Sequence, residues 1–203
     1  MPEENLNGGV EGEGLKQANA LIGYTRLMEG SFALGGGQAA LDRALKYAHE
    51  RVQFGTPLVE KEGFLLKLIA PHWIDLAAGR AYADEVARRI DEGETALQVE
   101  GSVAKLWCTE VGNAAADAAI QALGGYGYSR EYMVEKIRRD VRITSIYEGT
   151  SEIQQNIIGV FRWKKTVSSK GAFYEDMATA CDEAHAKVDN CGCDIAAAAM
   201  RDI

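Results

Sequence analysis

The sequence predicts an all-α protein built as an up-down helical bundle, and three observations carry that expectation. Only three prolines stand beside 22 glycines in 203 residues. Alternating runs of Val, Ile and Thr, the mark of half-buried strands, are nearly absent. Long stretches instead repeat apolar side chains at three- and four-residue spacing, which gathers them on one face of a helix. With 47% hydrophobic and 26% charged residues, the chain has the material for one sizeable core under a charged surface.

Taken in order, residues 1–15 are polar and glycine-rich and predict an exposed lead-in. From about Gln17 to Arg51 the residues Leu27, Phe32, Leu34, Leu41, Leu45 and Ala48 recur at helical spacing, which predicts a long amphipathic helix. Gly35-Gly36-Gly37 inside it costs up to about 1 kcal/mol per glycine relative to alanine, a cost that close approach of a neighbouring helix would offset. Phe54-Gly55-Thr56-Pro57 interrupts the pattern. A second helix is expected from about Lys61 to Ile90, with Pro71 as a kink. A third runs from about Thr95 to Leu123 and stops at Gly124-Gly125-Tyr126-Gly127. A shorter helix, Arg130 to about Asp140, leads to a loop centred on Glu148, and a fifth runs from Thr150 to about Val167. Residues 16–167 thus form the bundle, and 168–203, opening on Ser168-Ser169-Lys170-Gly171, form a linker and a short Ala-rich helical extension.

A formal net charge of −8 argues against nucleic acid or an anionic membrane as partner, since both demand a basic surface. No apolar run reaches the ~18 to 20 residues of a membrane helix. Met1-Pro2-Glu3-Glu4 lacks the features of a signal peptide, so a cytoplasmic or, in a eukaryote, mitochondrial-matrix protein is expected. The four cysteines are too sparse for a disulfide scaffold. Cys181, His185, Cys191 and Cys193 could in principle complete a tetrahedral zinc shell, but their spacing matches no common finger, and no metal is expected.

Three segments could carry chemistry. In Thr144-Ser145-Ile146-Tyr147-Glu148-Gly149-Thr150-Ser151-Glu152, Gly149 permits a left-handed backbone and Thr150 or Ser151 can cap the next helix. Glu148 there reads equally as a solvated loop acid beside a helix dipole. Gln121 to Tyr128 is a glycine-rich helix end whose exposed N–H groups could meet an anion, or simply a glycine C-cap with two structural tyrosines. Arg51-Val52-Gln53-Phe54-Gly55 places a guanidinium where it could fork onto a pyrophosphate or merely complement a helix C-terminus.

Their order and register decide more than any one of them. With Tyr24-Thr25-Arg26, Ala39, Leu41-Asp42, Glu50 to Gly55, Gln121 to Tyr128, Arg138-Arg139-Asp140 and Tyr147 to Gln154, the chain resembles the C-terminal domain of the acyl-CoA dehydrogenases, from about Asn5 to about Trp163. The resemblance implies an FAD-dependent enzyme of fatty-acid β-oxidation that turns an acyl-CoA into its trans-2-enoyl-CoA. Glu148 would take the α-proton while the β-hydride passes to the flavin, and desolvation around a bound acyl chain would strengthen such a base. Glu148 would also polarise the thioester carbonyl through its backbone N–H. In some relatives the base stands just before the arginine that matches Arg26; Thr25 occupies that place here. Gly23, Tyr24, Arg26 and Gly149 would meet substrate. Arg51, Gln53, Phe54, Gln121, Leu123, Gly124 and Gly125 would contact the FAD of another subunit, and Thr150, Ser151 and Glu152 would contact FAD at a helix N-terminus.

The resemblance further implies a homo-oligomer, a dimer or tetramer, and an electron-transfer flavoprotein as acceptor. Two departures stand out. Glu62 occupies a place where relatives often carry an FAD-contacting glutamine. The N-terminal helical and middle β-domains of the family have no counterpart here, apart from residues 1–15, which resemble the end of that β-domain. Two functions therefore remain: the C-terminal part of a flavin dehydrogenase, inactive without the other domains, or a non-catalytic helical interaction module that keeps the family's motifs.

Overall fold

A computed structural model of the chain describes residues 3–95, 97–188 and 193–201. They fall into two compact units, Met1–Gln155 and Asn156–Ile203. The first opens with two exposed 3-10 turns, Glu3–Asn5 and Asn7–Gly9, and enters helix α1, Gly14–Glu50. A two-residue hairpin follows, β1 (Val52–Gln53) against β2 (Thr56–Pro57), with Val52 opposite Pro57. Then come α2 (Glu62–Leu68), α3 (Ala70–Asp91), α4 (Gln98–Leu123), the single turn α5 (Gly125–Tyr128) and α6 (Val134–Arg142).

The centre of this unit is the contact of α1 with α4, and small residues make it. A Cβ on Gly112 would lie 2.3 Å from the Ala33 carbonyl oxygen, and one on Gly101 would lie 2.6 Å from that of Gly23. A Cβ on Gly37 would lie 2.8 Å from Gly112 Cα. The backbones touch there, which is the compensation the glycine run requires. Residue numbers climb together at these contacts, 23 with 101 and 37 with 112, so α1 and α4 run parallel. Helix α3 runs the other way, because Leu34 meets Gly79 and Gly37 meets Leu76. Helix α6 is likewise antiparallel to α4, with Asn113 bonded to the Val141 carbonyl and Arg138 to Asp117. Leu27, Leu34 and Leu41 of α1, Leu76 and Val86 of α3, Cys108, Val111 and Leu123 of α4, and Val134 and Val141 of α6 share the buried core between these four helices.

Pro71 does not kink a helix, contrary to the sequence expectation. The break falls at Ile69 (φ −120°, ψ −63°), and Pro71 sits in the first turn of α3, where its missing N–H has no partner to lose. The fourth expected helix is also divided, into a 3-10 turn Arg130–Tyr132 and α6, and the expected loop after it opens with a further 3-10 turn, Ile143–Ser145.

Helix α7, Ser151–Ser169, begins in the first unit and continues through the second. Within the second unit, left-handed Lys170 (φ 52°) and Gly171 (φ 88°) turn the chain into α8 (Ala172–His185), and α9 (Cys193–Arg201) packs on α8. Arg201 bridges Glu175 and Asp182, and the Arg162 guanidinium stands 4.8 Å over the Phe173 ring. Among the described residues no helix is long and apolar enough to cross a membrane and no group of His, Cys, Asp and Glu is gathered to hold a metal. Cys191 lies outside the described residues.

Candidate active site

Glu148 stands between the 3-10 turn after α6 and the start of α7, on two consecutive left-handed residues, Glu148 (φ 56°) and Gly149 (φ 96°). Glycine adopts this conformation freely, whereas glutamate does so at a cost of roughly 1 kcal/mol or more. The turn presents the Glu148 side chain at the surface, where Thr25 Oγ1 of α1 donates to its Oε2 at 2.9 Å. Thr150 caps α7, its Oγ1 accepting from the Ile153 N–H at 3.5 Å.

Behind the turn lie two side chains with no solvent exposure, Lys105 of α4 and Gln154 of α7. Lys105 Nζ donates to the Gly149 carbonyl at 2.7 Å. Gln154 Nε2 donates to the carbonyls of both Glu148 and Gly149, at 2.9 and 3.0 Å. Burial pulls the Lys105 ammonium down, and the field of Glu29, then Glu110, works against that pull. Beside it the Tyr147 phenol is pushed up to about 12, chiefly by burial and then by its hydrogen bond with Glu29. Arg26 is nearly buried, 6% exposed, and donates to Ser102 Oγ at 3.0 Å; burial lowers its proton affinity while Glu148 raises it. Gly23 and Tyr24, three and two residues before it, line a cleft of about 270 Å3 with Ile90 and Leu97, and Tyr24 lines a second of the same volume with Leu27, Met28 and Phe32.

A second site lies where α1 ends beside the end of α4. A groove of about 610 Å3 is lined by Arg51, Gln53, Gln121, Leu123, Gly124 and Gly125, together with Tyr47, Phe64 and Tyr126. Gly124 leaves α4 at φ 61°, ψ −136°, a conformation that only glycine adopts at little cost. The rings of Tyr47, Tyr126 and Tyr132 pack with centroids 5.0 to 6.2 Å apart, and the Arg51 guanidinium lies 5.9 Å from the centre of the Tyr126 ring. The hairpin turn holds Phe54 at φ 51° and leaves it 97% exposed, away from the groove that Gln53 faces. Glu62 opens α2 as an exposed residue and does not line this groove.

The third site is the N-terminus of α7. Thr150, Ser151 and Glu152 line a polar groove of about 490 Å3 with Glu110, Asn113, Arg138, Arg142 and Ser145. Ser151 Oγ donates to Glu110. The Thr150 hydroxyl and the helix backbone hold the Glu152 carboxyl below the usual carboxylate range.

The sequence profile described as acyl-CoA dehydrogenase, C-terminal domain, matches residues 12–161. The chain belongs to the acyl-CoA dehydrogenase family. Among its relatives, a mitochondrial short-chain specific acyl-CoA dehydrogenase of Sus scrofa is 42% identical over 158 residues, covering 78% of this chain and 38% of the relative. Subunit CarC of the caffeyl-CoA reductase–Etf complex of Acetobacterium woodii is 38% identical over 81% of this chain and 43% of its own length. The solved butyryl-CoA dehydrogenase of Megasphaera elsdenii superposes with a TM-score of 0.73 at 35% identity, over 76% of this chain and 40% of that one. This acyl-CoA dehydrogenase domain thus spans about two fifths of the length of these relatives.

Proposed function

We propose that the chain supplies the C-terminal domain of an FAD-dependent acyl-CoA dehydrogenase, with Glu148 as the base that removes the α-proton of an acyl-CoA thioester. The observation that carries this reading is the strained turn that holds Glu148 outward and hydrogen-bonded to Thr25, in a chain of this family. A general base needs a carboxylate that is free to accept and held in reach of its proton. In the step itself the α-carbon–hydrogen bond breaks, its proton goes to the Glu148 carboxylate, and the β-hydride leaves as the carbon–carbon double bond forms. FAD supplies the acceptor for that hydride.

The groove at Arg51 fits part of such a group. A dinucleotide asks for donors to its pyrophosphate and a flat surface for a ring, and this groove combines a guanidinium, two amides, glycine backbone and an aromatic wall. Arg51, Gln53, Gln121, Leu123, Gly124 and Gly125 would contact the FAD of another subunit there, and Thr150 to Glu152 would contact FAD at the N-terminus of α7. Phe54, turned outward, would meet another subunit or the cofactor it carries, in keeping with a homo-oligomer. Gly23, Tyr24 and Gly149 would line the acyl-CoA path, while Arg26 would act on it from within through its charge. An electron-transfer flavoprotein as redox partner is supported by the Acetobacterium woodii relative, a subunit of a reductase–Etf complex.

Glu148→Gln in the flavin-loaded enzyme tests the assignment, because the amide keeps the shape and cannot take the proton. Flavin content is expected to stay near that of the parent, and acyl-CoA-dependent bleaching of the flavin is expected to disappear. Retained bleaching would move the base to another residue. A chain that never acquires flavin, even with the family's remaining domains supplied, would favour the non-catalytic module.

A further inference from the structure

The turn that carries Glu148 does not hold itself. Two successive left-handed residues, one of them not glycine, lie in a sparsely populated backbone region that persists only when its surroundings enforce it. The enforcement comes from three hydrogen bonds to two carbonyls, one from Lys105 and two from Gln154. Both donors are fully buried, and Lys105 is the largest fully buried side chain among the described residues.

A lysine is almost never buried to this degree without a reason. Its ammonium is costly to remove from water, and breaking the contacts of such a charge is expensive. Acids offset that cost in part, first Glu29 of α1, then Glu110 of α4 itself and, least, Glu148, while Arg26 of α1 opposes it. The hydrogen bonds of Lys105 and Gln154 go to the carbonyls beneath the Glu148 side chain and not to its carboxylate. We propose that Lys105 and Gln154 are positioning residues that clamp the carbonyls of Glu148 and Gly149 and so fix where the base points. This rests on Glu148 being the base.

The clamp has an internal logic. Gly149 accepts from both donors, so its carbonyl is tied to α4 and α7 together, whereas Glu148 is tied to α7 alone. Loss of Lys105 frees the α4 side of the turn, and loss of Gln154 frees both carbonyls from α7. A misplaced carboxylate still leaves the substrate bound, so the defect belongs in the chemical step.

The test compares Lys105→Met and Gln154→Met in the flavin-loaded enzyme with Glu148→Gln alongside. Each clamp variant is expected to keep its flavin and a KM for acyl-CoA within about twofold of the parent while kcat falls about tenfold or more. Hydrogen exchange should also rise about tenfold in the peptide around residues 146–150 and stay unchanged along most of α4. A folded variant with parental kcat and parental exchange overturns the clamp. If Lys105→Met fails to fold, Gln154→Met decides alone, since it removes two of the three bonds. If Glu148→Gln itself keeps turnover, the assignment of the base fails, and the exchange measurement still judges the clamp.

Discussion

A buried nucleophile and a buried cation sit on the same face of α4, and burial treats them differently. Cys108 has no solvent exposure, its thiol faces the Gly79 carbonyl, and burial pushes it from the ordinary 9.0 up to about 12. The unfolded thiol loses its proton near pH 9 and the folded one only near 12, so the stability linked to it is complete below about pH 9 and drains away as pH rises toward 12. Urea titrations between pH 8 and pH 10.5 should therefore show stability falling more steeply with pH in the parent than in Cys108→Ala; parallel slopes would count against a buried neutral thiol. Lys105, three residues earlier, is the residue that reading of the sequence passed over. Its signal was present: Gly101, Lys105, Cys108 and Gly112 recur at helical spacing and are all buried, so a lone charge stood in phase with the apolar face. Glu148 and Arg51 were named as candidates by motif order, whereas Thr25 was noted only as standing where some relatives carry the base, and Gln154 only as part of the block and not for its grip on the turn. The partnership of Lys105 with Gly149 spans 44 positions, and no local pattern encodes such a distance.

At the scale of elements, the three long helices of the bundle, α1, α3 and α4, were readable from period, and the ends of α3 and α4 from glycine. The hairpin was not, because two residues per strand are too few to show an alternation. The division at Ile69 was misplaced onto Pro71, since proline marks a helix start as readily as a helix break. The glycine run gives the sharpest expectation at this scale. Gly35 is exposed, and a Cβ added there would meet nothing within 4 Å, whereas a Cβ on Gly112 would enter the Ala33 carbonyl. Gly35→Ala should raise stability by about 0.5 to 1 kcal/mol through helix propensity. Gly112→Ala should lower it by about 1 to 3 kcal/mol by forcing α1 and α4 apart. Denaturant melts of the two variants check both signs, and equal effects would mean that the crossing is looser than its backbone contacts imply.

For the molecule as a whole, the candidate base, the Arg51 groove and the α7 groove all belong to the unit Met1–Gln155, each open to the surface. Under the proposed function this domain would offer one wall of a reaction chamber, and it covers about two fifths of the relatives compared. The left-handed backbone at Glu148 bears on how such a chain ages under selection. A glycine there would relieve the backbone, and Glu148→Gly should melt later, with roughly 1 kcal/mol of added stability, while losing the proposed base. An earlier melt would place the cost of the turn elsewhere. Random drift screened only for thermal robustness would accordingly erase this glutamate, so its persistence across a lineage would be a record of continued use of the reaction and not of folding.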